Sequence, residues 1–573
     1  MKKFFVIALS ALALVACKHE TPQETVVCPI RMNQVGFAPN QEKTATITLS
    51  DERLAVSEVF VLNENGDTVW TGNPSPVTLN PISGKPCQIV DFSVLNEAGK
   101  YTLSILRDNV ITSLQFTITD RPYKELTRAA LRAFYHQRAS MATEEPYAEG
   151  YARPAGHPDD RVLVHASAAT AERPEGTVIS SPGGWYDAGD YNKYIVNSGF
   201  TMGVWLMSYE LNKSYFDTLK LNIPEKGMPD MLSEALYNLR WMITMQDLDG
   251  GVYHKLTTPD FEKFIRPDQC EKPRYVVLKT TAATLDFAAS MALAARVYQP
   301  YDPAFSKQAK EAALRAFTWA QANPAIYYDQ PKMNEEFKPE ITTGAYDDFD
   351  VNDEFYWAAT ELYLLTGEKQ YMQYAINYHP ADYQPAVWGN VAELAALEWM
   401  VRSKNADALV DYLQPFIDEE ETSVFCSPYG NRESDFFWGC NSEGCCWRGI
   451  ECLYAYRLTG NEIYRINAER CLNYILGQNA TGYCYVTGFG TNPTSHPHHR
   501  LSYSHSKGTL PGFLAGGPNP AKQDAITDGV VYPENVPADE SYLDEQPSYA
   551  SNEVTINWNV TLFALSAGID ALP

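Results

Sequence analysis

The chain has little positive charge. Its 573 residues carry 45 Lys and Arg against 71 Asp and Glu, a formal net charge of −26 at pH 7. A field of that sign repels phosphate backbones, which argues against a nucleic-acid partner and suits a neutral ligand. Long apolar runs are missing too. Phe4 to Val15 is the one early apolar stretch, too short for the ~20 residues of a spanning helix, and nothing downstream reads as a span. A disulfide scaffold is absent, since the eleven cysteines do not repeat at fixed spacing. Cys440, Cys445, Cys446 and Cys452 cluster, but C-x4-C-C-x5-C fits no common zinc pattern and reads as buried thiols at a helix start. An exported chain leaves room for one or two disulfides, whose pairs the sequence does not identify.

What is present begins at the N-terminus. Lys2 and Lys3 precede the apolar stretch, and Leu14-Val15-Ala16-Cys17 follows, small residues before a Cys as in a bacterial lipobox. Residues 1–16 are therefore expected to be a lipoprotein signal peptide, Cys17 the lipidated first residue, and 17–27 a polar tether. A plain secretory signal that happens to contain Cys is the alternative. On the first reading the protein is held to a bacterial envelope membrane by lipid alone, facing the periplasm or the cell exterior. Residues 28–120 alternate in short runs such as Tyr101 to Leu106, punctuated by turns such as Asn63-Glu64-Asn65-Gly66-Asp67, and predict a β-sandwich. No chemistry is visible in it. From 121 to 573 the apolar spacing turns helical. Leu232, Ala235, Leu236, Leu239 and Met242 share one face, and the same test marks about twelve helices, the last over 553–570. Twelve helices joined in pairs suggest a ring of hairpins, with the Gly, Pro, Asp and Trp held in long connections at 141–196, 246–280, 322–352 and 477–552.

Three constellations carry chemistry. Gly183-Gly184-Trp185-Tyr186-Asp187-Ala188-Gly189-Asp190 places two carboxylates three apart among small residues. Held close, they repel and need a hydrogen-bonded site or a shared water, an arrangement able to deprotonate that water. A calcium loop or a simple turn has the same composition. Near the C-terminus stand Tyr542, Asp544, Tyr549 and Glu553. Glu553 reads either as a helix-start carboxylate or as a general acid whose pKa is raised among aromatic neighbours. Pro497-His498-His499-Arg500, after Gly488-Phe489-Gly490, offers hydrogen-bonding groups beside a cleft, or a structural loop.

Taken together, these stretches resemble glycoside hydrolase family 9, the inverting cellulases. The likeness runs from about Cys28 to the C-terminus. Gly184 to Asp190 looks like the base motif, and Gly490 to Arg500 like the histidine signature. Tyr542, Asp544, Tyr549, Glu553, Thr555 and Asn559 look like the acid signature, while Ile30 to Phe37 is similar to an immunoglobulin-like module that precedes one branch of the family. Cys484 and Val560 depart from the usual residues beside, not on, the catalytic positions.

The resemblance implies a multidomain fold, an N-terminal immunoglobulin-like β-sandwich followed by an all-α (α/α)6 barrel. It implies cleavage of β-1,4-glucan by inversion, with Asp190 as base, Asp187 helping to hold the water and Glu553 as acid. Inversion needs the two carboxyl groups ~6.5–9.5 Å apart. His498 and Arg500 are expected to bind the sugar, Asp544 to orient neighbours and Tyr549 to contact substrate, while Trp185 and Tyr186 are candidates for sugar stacking for which core packing is an equal account. No cofactor is required. Asp350, Asp353 and Glu354 resemble a calcium site of some members, with a solvated helix start as the alternative. A Cys/His zinc site that others carry near 154–157 is not expected here, because Gly156 stands in place of a Cys. The expected partner is a β-glucan such as cellulose, mixed-linkage glucan or xyloglucan, acted on by a monomer. An exo-acting cellodextrinase or glucosaminidase, and a non-catalytic glycan-binding lipoprotein, are the alternatives.

Overall fold

A computed structural model describes residues 28–107, 110–420 and 423–572. The expected signal peptide, Cys17 and the tether lie outside the described residues. The first module is two four-stranded antiparallel sheets. One runs β1 (Ile30–Arg31), β2 (Thr44–Thr48), β6 (Pro86–Asp91), β5 (Thr78–Leu79); the other runs β4 (Thr68–Gly72), β3 (Val59–Asn63), β7 (Gly99–Arg107), β8 (Val110–Ile118). Alternation along β7 sends Tyr101, Leu103 and Ile105 inward, and Phe37, Phe92 and Phe116 close the core edge-on at 5–6 Å.

Twelve longer helices follow in two concentric rings. The inner ring is α2 (Ile195–Leu211), α4 (Thr281–Tyr298), α6 (Asn352–Thr366), α8 (Ala392–Ser403), α10 (Trp447–Thr459) and α12 (Ile556–Asp570). The outer ring is α1 (Lys124–Gln137), α3 (Asp230–Thr244), α5 (Pro303–Ala322), α7 (Lys369–Asn377), α9 (Asp407–Glu420) and α11 (Glu462–Ile475). Their sequences explain the sorting. α12 is buried on every face and α4 on nearly every face, as helices wrapped by neighbours must be. α5 is amphipathic: Phe305, Ala309, Ala312, Ala313, Ala316, Phe317 and Ala320 face in. It begins with Pro303 at its first turn and Asp302 accepting from the Phe305 amide at 3.0 Å, which satisfies an otherwise orphan donor.

The expected helices are all found, with one consequential shift. α12 starts at Ile556, so Glu553 precedes it in extended backbone instead of beginning it. A six-residue π-helical stretch, Asn441–Cys446, leads into α10 and buries Cys440, Cys445 and Cys446. The ten cysteines among the described residues are all free thiols, so the disulfides the sequence left room for do not form there. At one end of the barrel the long connections build a small sheet of β9 (Val162–Val164), β10 (Val178–Ile179), β11 (Lys193–Tyr194), β12 (Lys255–Thr257) and β13 (Tyr275–Val276). β11 runs straight into α2, which sets the Asp187–Asp190 loop on a rigid base.

The two modules share a polar seam. Asn33 donates to the Tyr123 hydroxyl at 3.1 Å and to Asn473 at 2.8 Å, fully buried. Gln34 donates to the Gly482 carbonyl and accepts from the amides of Thr491 and Asn492.

Candidate active site

Asp187 sits at the entry to α2. Its Oδ2 accepts from the Tyr346 hydroxyl at 2.6 Å and its Oδ1 from Asn197, while its carbonyl receives the first amide of α12 at 2.8 Å. Burial first, and the charge of Asp190 second, push its carboxyl up to about 8. Burial and the neighbouring like charge thus both favour the protonated form of Asp187. Asp190 is 5% exposed, and its Oδ2 accepts from the Tyr194 hydroxyl at 3.0 Å and from Asn192.

Glu553 reaches the same place from the far end of the chain. It forms a parallel bridge with His498, and its Oε1 accepts from the Gly189 amide at 3.3 Å. Gly189 is required there: a Cβ would meet the His498 carbonyl at 2.1 Å and Glu553 Oε1 at 3.1 Å. Burial, then the charge of Asp190, raise Glu553 to about 8, with Arg500 and the Gly189 amide opposing. Glu553 therefore carries its proton at neutral pH, as a proton donor must.

The histidine loop is held by backbone contacts. His498 donates from Nδ1 to the Gln546 carbonyl at 2.8 Å, and burial lowers its pKa to about 4, so the ring is neutral with Nε2 left to accept. Asp544 accepts from the amides of Ser495 and His496 and from Asn552, tying this loop to the acid segment. Arg500 donates from Nε to the Glu262 carbonyl and from Nη1 to the Gly189 carbonyl, both at 2.8 Å. Those guanidinium bonds go to backbone, so Arg500 positions the base loop and places its charge near Glu553.

The cleft holding Asp187, Asp190 and Glu553 encloses about 320 Å³ and is walled by Tyr194, Phe261, Tyr346, Trp388, Trp438 and Trp558. Such flat rings match the C–H faces of sugars. Trp438 is 44% exposed, its ring 5.7 Å from that of Tyr549, which lies 6.0 Å from His498. Sequence reasoning missed these walls. The readable signal was Trp beside Gly between helices, as in Trp388-Gly389 and Trp438-Gly439. Trp185 and Tyr186 are corrected: both are wholly buried. Trp185 donates to Glu234 and packs on Phe134 and Trp205, and Tyr186 lies under His157. Neither ring is open to a sugar.

The carboxylates expected to hold calcium are not equivalent. Both oxygens of Glu354, both of Asp286 and Oδ2 of Asp348 are buried without a donor, the setting a hard cation relieves. Asp353 spends Oδ2 on the Val391 amide at 2.7 Å. Asp350 is exposed and its Oδ1 caps Asn352.

Comparison with known proteins follows the same division of the chain. Residues 123–566 match the family described as Glycosyl hydrolase family 9, and residues 27–109 match a cellulase N-terminal ig-like domain. The xyloglucan-specific endo-beta-1,4-glucanase BoGH9A of Bacteroides ovatus is 46% identical over 98% of this chain and 97% of its own. Endoglucanase D of Acetivibrio thermocellus is 31% identical over 94% of this chain and 83% of its own. A solved structure, Bacteroides ovatus GH9, superposes with a TM-score of 0.88 at 45% identity, over 95% of this chain and 99% of that one.

Proposed function

The chain belongs to glycosyl hydrolase family 9, and from that premise we propose that it cuts xyloglucan at internal β-1,4 bonds with inversion. It is a glycoside hydrolase of the endo-β-1,4-glucanase type acting on β-glucan. In the proposed mechanism Asp190, fixed by Tyr194 and Asn192, takes a proton from water as that water attacks the anomeric carbon. Asp187 orients the same water. Glu553 gives its proton to the departing glycosidic oxygen, and His498 Nε2 accepts from a sugar hydroxyl. One observation carries the reading: Glu553 lies against the amide of Gly189, the residue before Asp190, so donor and acceptor open into one cleft.

Xyloglucan is favoured by the relative named for it, which matches along nearly the whole chain. No cofactor enters the chemistry. Calcium belongs to the proposal as a structural ion at the start of α6, with Asp350, Asp353 and Glu354, of which Glu354 leaves both oxygens without a donor. Cys17 is proposed to carry the lipid that fixes a monomer to the envelope; among the described residues no helix is long and apolar enough to cross a membrane. The test is product analysis on a panel of β-glucans, with the anomer read by NMR at early times. Initial α-anomer, with viscosity falling ahead of reducing sugar, is the expected outcome. Initial β-anomer would overturn inversion, and release of small sugars at constant viscosity would replace endo with exo action.

A further inference from the structure

We propose that His157, Glu262 and Cys270 form a binding site for one divalent cation of the zinc class, pinning a lip of the cleft. The ligand-capable atoms of the three lie within 4.8 Å of one another. Two of the side chains are more than nine-tenths buried, and both leave an atom unpartnered: His157 Nε2 and Glu262 Oε1.

The hydrogen bonds around His157 say what that pair of atoms lacks. His157 Nδ1 stands 2.9 Å from the Tyr186 hydroxyl, and in the tautomer that donates from Nδ1 the hydroxyl gives its own proton to the Gly156 carbonyl at 3.4 Å. Nε2 is then a bare lone pair, oriented by a second-layer partner as metal-bound histidines are. It shares the cluster with a carboxylate oxygen that also has no donor. Two buried acceptors facing one another without a proton repel, and a cation between them removes the conflict. Cys270, partly exposed, supplies sulfur on the solvent side and leaves an entry path. A nitrogen, an oxygen and a sulfur, with water as the fourth ligand, suit tetrahedral zinc, whose ligand atoms stand about 3.3–3.7 Å apart given bonds of 2.0–2.3 Å. The thiol releases its proton to solvent on binding. Arg274, the nearby cation, is already paired with Asp159 at 3.1 Å.

His157 belongs to the 154–157 segment where some members of the family carry a Cys/His zinc site, but Glu262 and Cys270 come from a different segment. A Cβ on Gly156 would meet the Pro267 backbone at 2.4 Å, so the loop that brings Glu262 and Cys270 fills the space a Cys there would need. That loop also carries Phe261, which walls the cleft, and Phe264, whose ring stands edge-on to His498 at 5.0 Å. The Glu262 carbonyl holds Arg500. Fixing Glu262 thus fixes the lip.

The full chain, stripped with a chelator and titrated with Co(II), tests this. One equivalent should bind, with a sulfur-to-cobalt absorption band in the near ultraviolet. C270S should lose the band and H157Q should bind at least tenfold more weakly, with circular dichroism confirming that each is folded. Absence of the band in the wild-type chain, or its persistence in C270S, overturns the site. A second arm rests on the glucanase reading: stripping should raise KM for xyloglucan several-fold with kcat within twofold, restored by Zn(II). An unchanged KM beside a normal cobalt band would remove the lip from the proposal, and loss of kcat alone would count against it equally.

Discussion

The amide of Gly189 donates to the carboxylate of Glu553 at 3.3 Å, across 364 positions of chain. That single contact joins the loop ahead of α2 to the segment ahead of α12, and it sets the first expectation for the acid. Glu553→Gln keeps an acceptor for the Gly189 amide and loses the proton. On unactivated β-glucan kcat should fall by about 10²–10⁴, the usual worth of a general acid, with binding nearly intact by calorimetry. Aryl glycosides with a good leaving group should lose far less. Equal loss on both substrates would remove the acid role.

Asp190→Asn should differ in kind. Without a base, turnover falls about 10²–10⁴-fold on activated and unactivated substrates alike. Comparing the two substrates in steady state separates this variant from the previous one.

The pH profile follows from the raised carboxyls. Glu553, at about 8, donates only while protonated, so kcat/KM should fall as pH rises through about 8. Stability has the same sign. A carboxyl whose folded pKa lies above its unfolded value of 4.5 contributes fully below that value and loses its contribution as pH climbs toward 8. Glu553→Gln should therefore melt above the wild type at pH 8 by ~2–4 °C, the gap closing below pH 4.5. Scanning calorimetry at the two pH values checks it.

Two tryptophans should answer oppositely. Trp438→Ala, at the cleft rim, should raise KM about tenfold (about 1.4 kcal/mol) and leave the melting temperature unchanged. Trp185→Ala, in the wall of the barrel core, should cost about 3–5 kcal/mol of stability. Denaturant titration and steady-state kinetics distinguish them.

Calcium should act on stability alone. With Zn(II) kept saturating, withdrawal of calcium should lower the melting temperature of the wild type and leave Glu354→Gln unmoved, as differential scanning would show. A Glu354→Gln protein as calcium-responsive as the wild type would remove the ion from this corner.

The fold was legible because its rings are written in local spacing. α5 shows its apolar stripe at every third and fourth residue, and β7 alternates. The acids were legible through short motifs. What stayed hidden depends on where distant loops meet. Trp185 and Trp438 look alike as letters beside glycine, yet one is sealed behind α3 and the other opens to solvent, and no spacing rule separates them. Glu553 reads as a helix start because Val554 and Ile556 continue the apolar pattern, and only the bridge to His498 draws it into extended backbone. Gly156 argued against a metal at its own position, while the replacement ligands lie more than a hundred residues onward.

Gln34 grips the strand of chain that leads to His498, and Asn33 is sealed beside it. The sandwich is thus a remote buttress of catalysis and no detachable accessory. Amputating it would strip the histidine loop of its clamp and leave bare polar groups on the barrel flank.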